Sequence, residues 1–339
     1  MNSPCASFTA AKPGQLPVLR ARQADRSPLL TACLTTIACL ALSGCVTSQP
    51  LLAGSAAVTA SGLYEGEPVA LHATEMPVAS AEEARVRARQ ALVQGDLDLA
   101  LYLYVQAVSL DPADAESFYA IGALHDQRGN ADLAARAWLK VVEIDPDNAQ
   151  AHQNIGLSMF DLRLFDTAER HLLDAIALDA SLWRSHNTLG ILADRAEQYE
   201  AAIEHYTAAI RVEPNLASVR NNRGYSRYLS GDLAAAKRDF LATVEIDADY
   251  DRAWRNLGLV LAREQEYDQA LVAMSHAIEH HVALNDVGYV AMLDGRYDVA
   301  RRYFEDAILE SPRHYQTAQN NLTELNRRAS ATPSLVAVD

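Results

Sequence analysis

Six alanines, Ala100, Ala134, Ala168, Ala202, Ala236 and Ala270, stand 34 residues apart, and this period constrains the chain more than any other feature. A second comb, Ala88, Gly122, Gly156, Gly190, Gly224 and Gly258, runs twelve residues ahead of it. Four residues after each alanine comes a large apolar side chain: Tyr104, Trp138, Leu172, Tyr206, Phe240 and Met274. Pro112, Pro146 and Pro214 fall twelve after theirs, with Ala180 and Ala248 in equivalent places. Neighbours on a helix lie three and four residues apart, so small residues at fixed points let two helices approach while the large residue fills the gap beside them. Proline then stops the second helix, because it has no N–H to donate, and Asp111 and Asp145 before it suit the turn. One such unit cannot bury its own apolar face, so units stack into an array. The chain's abundant alanine and leucine favour helix.

The comb resembles the tetratricopeptide repeat, which has glycine or alanine at position 8, alanine at 20 and 27, an aromatic at 24 and proline at 32. The tryptophan common at position 4 occurs only as Trp254, with Phe118 in that place earlier, and the position-11 tyrosine is missing. The resemblance implies an all-α tetratricopeptide-repeat superhelix, an α-solenoid, over residues 80–328, with about seven helix pairs and a C-terminal capping helix near Asn320–Arg328. Residues 329–339 read as a disordered tail. The seventh unit (Gly288, Gly295, Ala300, Phe304, Ala307, Pro312) breaks phase: Gly288 follows Gly258 by 30 residues. Four residues, about one helical turn, are missing near Glu279-His280-His281. A shortened second helix in unit six and a local change of curvature are expected there.

All four cysteines lie at the front (Cys5, Cys33, Cys39, Cys45), so the body can hold no disulfide framework or cysteine zinc site. Leu29 to Leu42 is an uncharged apolar run preceded by Arg20, Arg22 and Arg26, the pattern of a secretory signal and too short to span a bilayer. It ends in Leu42-Ser43-Gly44-Cys45, which resembles the lipobox of bacterial lipoproteins. That resemblance implies a signal peptide over 1–45 and lipidation of Cys45, and Val46 after it favours the outer membrane facing the periplasm. Residues 46–79, rich in Ala, Ser, Thr and Gly without an apolar period, read as a flexible tether.

The net charge of −15 repels phosphate backbones, so no nucleic acid is expected as a partner. No phosphate loop, GxGxxG, HExxH or nucleophile elbow occurs, so no catalytic residue, no cofactor and no small-molecule substrate is expected. His276 and His280, four apart with Glu279 and His281 adjacent, could hold a metal, but a solvated polar face is the simpler reading, and no metal site is expected.

A protein-binding groove is the better candidate. In the family the first helix of each unit lines the concave face. Position 6 there carries Asn154, Thr188, Asn222, Asn256, Asp286 and Asn320, and position 5 adds Asn187, Asn221 and Asn285. Side-chain amides can donate to and accept from an extended peptide, or bond within the helix layer. Tyr119, Tyr225, Tyr228 and Tyr289 add flat contact surface. Arg184, Arg252, Arg255 and Arg263 make units four to six locally basic, fit for an acidic segment or a free carboxylate.

The stretches L-W-R-S-H-N-T-L-G-I-L-A-D (182–194), V-R-N-N-R-G-Y-S-R-Y-L-S-G-D (219–232) and N-D-V-G-Y-V-A-M-L-D-G-R-Y-D-V-A (285–300) resemble the TadD group. These are tetratricopeptide lipoproteins of Flp-type (tight adherence) pilus systems. The resemblance implies a non-catalytic outer-membrane adaptor that helps the secretin or other pilus components assemble. A lipidated scaffold for peptidoglycan enzymes or outer-membrane assembly, and a metal-binding enzyme regulator, remain as alternatives.

Overall fold

The computed structural model describes residues 60–63 and 78–331. Cys45, the apolar run before it, most of the expected tether and residues 332–339 lie outside the described residues. Among those described are a short 3-10 turn, Ala60–Leu63, and fifteen α-helices with no strand. The helices are α1 (Ala81–Gln94), α2 (Leu97–Leu110), α3 (Ala115–Gln127), α4 (Ala131–Ile144), α5 (Ala149–Asp161), α6 (Phe165–Leu178), α7 (Trp183–Arg195) and α8 (Tyr199–Val212). They continue as α9 (Ala217–Ser230), α10 (Leu233–Ile246), α11 (Asp251–Arg263), α12 (Tyr267–Ser275), α13 (His280–Leu293), α14 (Tyr297–Glu310) and α15 (Gln316–Ala331). The fold is an all-α tetratricopeptide-repeat superhelix. Each odd helix pairs with the even helix after it, giving seven pairs, and α15 closes the array.

The two combs meet inside each pair. A methyl group added at Gly122 would lie 2.4 Å from Trp138 Nε1, and one at Gly156 would lie 2.5 Å from Leu172 Cγ. The same encounter recurs between Gly190 and Tyr206, Gly224 and Phe240, Gly258 and Met274, and Gly288 and Phe304. In these six pairs hydrogen at that place permits the helix spacing, whereas the first pair carries the buried methyl of Ala88 there. The turn inside each pair passes through the left-handed region at one register: Gly95, Gly129, Arg163, Glu197, Gly231, Gln265 and, after the four-residue loss, Gly295. Asp96, Asp114, Asn148 and Asp232 cap the helices that follow them by accepting from backbone N–H groups in the first turn.

Consecutive odd helices from α5 to α15 also touch one another directly and more extensively than consecutive even helices do, although Tyr303 on α14 donates its hydroxyl to Asp268 Oδ1 on α12 at 3.1 Å. The array therefore curves toward the odd helices, which form the inner, concave layer. Helix α12 has nine residues where other second helices have fourteen, as the missing turn requires. The two odd helices flanking it, α11 and α13, make the most extensive contact in the inner layer. The cap, α15, runs three residues beyond the expected 328 and buries Ala318 and Leu325 completely.

Part of the segment read as tether is built into the array. Leu63 is fully buried against α2 and α4, and its carbonyl lies 2.7 Å from His125 Nε2. On α2, buried Tyr102 stands where the next units have Arg136 and Arg170.

Candidate partner-binding groove

Position 6 of one unit and position 5 of the preceding unit face each other across the inner layer. Asn154 Nδ2 on α5 donates to the Tyr119 hydroxyl on α3 at 3.1 Å. Asn256 Nδ2 on α11 donates to Asn221 Oδ1 on α9 at 3.0 Å. Arg255 on α11 reaches Asp286 on α13 at 2.8 Å, its chain separation reduced to 31 by the missing turn. At the cap the rung shifts by one residue: Asn321 on α15, next to position 6, donates to Asn285 Oδ1 at 2.9 Å. These bonds are rungs that hold neighbouring units in register. Between α5 and α7 the link is displaced to Ser185 Oγ and Gln153 Oε1 at 3.2 Å.

One rung is not made. Asn187 on α7 and Asn222 on α9 stand 35 residues apart, like the bonded Asn154–Tyr119 and Asn256–Asn221 pairs. Asn187 Oδ1 is buried with no hydrogen-bond partner among the described residues, and no hydrogen bond engages the Asn222 side chain there. A buried carbonyl without a donor costs about 1–3 kcal/mol. Around it, Arg184 lies three residues before Asn187 on α7, exposed and without an ion pair among the described residues. Tyr225 and Tyr228 follow Asn222 on α9, with stacked rings 6.3 Å apart at 22°. Burial pushes both phenols above their ordinary range, so they present hydroxyls rather than phenolates.

The expected groove residues thus divide. Arg184 and Asn187 lie on α7, and Asn222, Tyr225 and Tyr228 lie on the neighbouring α9, while Arg184 also faces the Asp161 carboxyl at the end of α5. Arg252 is exposed at the start of α11. Tyr119, Asn154, Asn221 and Asn256 are used in rungs, and Tyr289 packs against the α13–α14–α15 core. Arg255 is tied to Asp286, a carboxyl that burial pushes up even with the guanidinium beside it. Arg263 pairs with Asp294 at 2.9 Å.

The histidines singled out in sequence do not share a helix face. His276 follows α12 and stacks on Trp254 with ring centroids 4.4 Å apart, while His280 begins α13 and reaches Ser275 Oγ at 3.0 Å. Two other pairs were not anticipated: His152 with His171, Nδ1 to Nδ1 at 3.2 Å, and His186 with His205 at 3.4 Å. Burial drives His171 down to about 4. Their signal was present in the sequence, since each histidine of the second pair follows its counterpart by 34 residues.

Family comparison agrees with this geometry. A TPR repeat family model matches residues 92–127 and 196–231, and a tetratricopeptide repeat family model matches residues 221–275. Both matched stretches of the chain carry tetratricopeptide repeats. No curated protein matches the chain in sequence. Among solved structures it is similar to YrrB, described as a TPR protein with an unusual peptide-binding site, at 22% identity over 53% of this chain and 95% of that one, with a TM-score of 0.49. It is also similar to PilF of Pseudomonas aeruginosa, at 22% identity over 63% and 98%, TM-score 0.47. A tetratricopeptide repeat protein from Parabacteroides merdae covers more, 74% of this chain and 100% of its own length, at 12% identity and a TM-score of 0.50. At such identity the likeness is one of fold. Repeats of this kind serve as scaffolds for protein–protein interaction.

Proposed function

We propose that this tetratricopeptide-repeat protein is a non-catalytic adaptor of the cell envelope, anchored in the outer membrane by acylation of Cys45. Its inner helix layer takes an extended partner segment across α7 and α9, and the partner is the secretin or another component of a Flp-type pilus. The single observation that carries the binding site is the open rung at Asn187 and Asn222. A bound backbone would accept from the Asn222 amide and donate to the unmatched Asn187 carbonyl once the half-buried Asn187 side chain turns that oxygen outward, as an amide can do both. Arg184 beside it favours a segment with a carboxylate, and the stacked Tyr225–Tyr228 pair gives an apolar platform with polar tips. The lipobox resemblance at Leu42–Cys45 and the three stretches similar to the TadD group support the envelope and pilus assignment.

The binding test is the double variant Asn187→Ala/Asn222→Ala, assayed by recovery of the secretin from crosslinked cells. Secretin recovery should fall at least tenfold while the circular dichroism stays unchanged; recovery at the wild-type level would rule the open rung out as the binding point. Asn256 and Arg255 are unsuitable probes, because they hold units together. For the anchor, Cys45→Ala should remove the acyl mass and release the protein from membranes. Continued membrane attachment would refute it.

A further inference from the structure

We propose that the third repeat carries a binding site for one divalent transition-metal ion of the zinc class, formed by His152, His171 and Asp174. His152 on α5 is 8% exposed, and its Nε2 lies 3.1 Å from the Pro146 carbonyl. A carbonyl can only accept, so the hydrogen of the neutral ring sits on Nε2 and Nδ1 carries the lone pair. That bare Nδ1 faces His171 Nδ1 at 3.2 Å and Asp174 Oδ2 at 3.7 Å. All three donor atoms lie within 4.8 Å of one another. A tetrahedral zinc ion with bonds of about 2.0–2.1 Å separates its ligand atoms by roughly 3.3–3.4 Å, close to the two measured edges. The Nε2–H···O=C bond is also the kind of contact that fixes the tautomer and aim of metal-ligating histidines.

The local sequence builds the set economically. His171 and Asp174 are three residues apart on α6 and so share one helix face, and α5 supplies His152 opposite them. Asp174 keeps 60% of its side-chain surface exposed, which leaves solvent access and room for a water as fourth ligand. Two imidazoles and one carboxylate suit zinc, cobalt, nickel or copper rather than calcium or magnesium, which prefer all-oxygen sets.

The fourth repeat provides an internal control. His186 and His205 reproduce the pair one period later, with Nδ1 atoms 3.4 Å apart. The residue 34 after Asp174 is Ala208, so this second pair lacks the carboxylate. A hydrogen bond alone explains two facing histidines equally well in both repeats. Among the described residues, three such donor atoms gather only in the third repeat.

The test uses the full chain, freed of any histidine tag and stripped with a chelator, titrated with Zn²⁺ by calorimetry and with Co²⁺ by visible absorption. One Zn²⁺ per chain is expected, with the intense visible bands of tetrahedral Co²⁺. His171→Ala and Asp174→Asn should each weaken Zn²⁺ binding at least tenfold, and His205→Ala should leave it unchanged. Asp174→Asn alters an exposed group and preserves its shape, so this variant keeps its fold. Absence of Zn²⁺ uptake, equal affinity in Asp174→Asn, or loss of uptake on His205→Ala would each overturn the assignment.

Discussion

Replacing Gly190 with alanine sets helix propensity against packing, and the structure indicates which wins. A methyl group there would sit 2.6 Å from Tyr206 Cε1 and 2.8 Å from both Cδ1 and Cζ. Carbon atoms prefer about 3.5–4.0 Å, so the ring must retreat by roughly 1 Å. It has nowhere to go: Tyr206 is 1% exposed, and its hydroxyl donates to Asp194 Oδ2 at 2.8 Å. That same carboxylate accepts from Ser226 Oγ of the next unit at 2.7 Å, so a displaced ring disturbs two repeats. Overpacking costs about 1–3 kcal/mol, and a weakened hydrogen bond to a charged group about 1.5–3 kcal/mol. Alanine returns about 1 kcal/mol through helix propensity. The expected result is a net loss of about 2–4 kcal/mol, read as a lowered urea midpoint by far-ultraviolet circular dichroism. In a Tyr206→Ala background the same change should become stabilising by about 1 kcal/mol, because the obstacle is gone. If Gly190→Ala stabilises the otherwise unaltered chain, the glycine is not there for close approach and the packing argument fails.

Other substitutions probe separate features. Asp239 is buried and receives Arg223 and Arg227, each at 2.7 Å; Asp239→Ala should strand two guanidinium groups and cost about 3–5 kcal/mol in chemical denaturation. Glu197 holds φ 59° where Gly95 and Gly231 serve elsewhere, so Glu197→Gly should raise stability by about 0.5–1 kcal/mol, the relief of left-handed strain exceeding the added freedom of the unfolded chain. Leu63→Asp should abolish hydrogen-exchange protection of residues 60–63 while leaving the urea midpoint of α5–α14 unchanged, since the turn packs on α2 and α4. Burial holds His186 and His205 below the usual imidazole range. The unfolded chain therefore takes up protons first, and the melting temperature should fall as pH drops below about 6.5; His205→Gln should flatten that slope, measured by thermal melts across the window.

Much of the architecture was legible because it rests on chain-local chemistry. A 34-residue period of small residues followed by large ones names the helix pair, its close approach and its stacking. The 30-residue step from Gly258 to Gly288 foretold the nine-residue α12, since removing one turn shortens a helix without changing its face. The groove was legible only as a set of candidates. Asn187, Asn221, Asn222 and Asn256 look alike in sequence, yet Asn221 and Asn256 bond to each other while Asn187 Oδ1 is left without a donor.

The sequence by itself determined the repeat, the handover from inner to outer helix and the place where the period slips, because each depends on neighbours three, four or 34 residues away. Tertiary structure alone decided which amides became rungs, that Arg255 serves Asp286, that Leu63 is seated beside His125, and that His152 meets His171 and Asp174. A hydrogen bond or a metal ligand set is made or lost within about half an ångström. That distance is set by how whole units lean on one another across the inner layer, a quantity no single repeat contains.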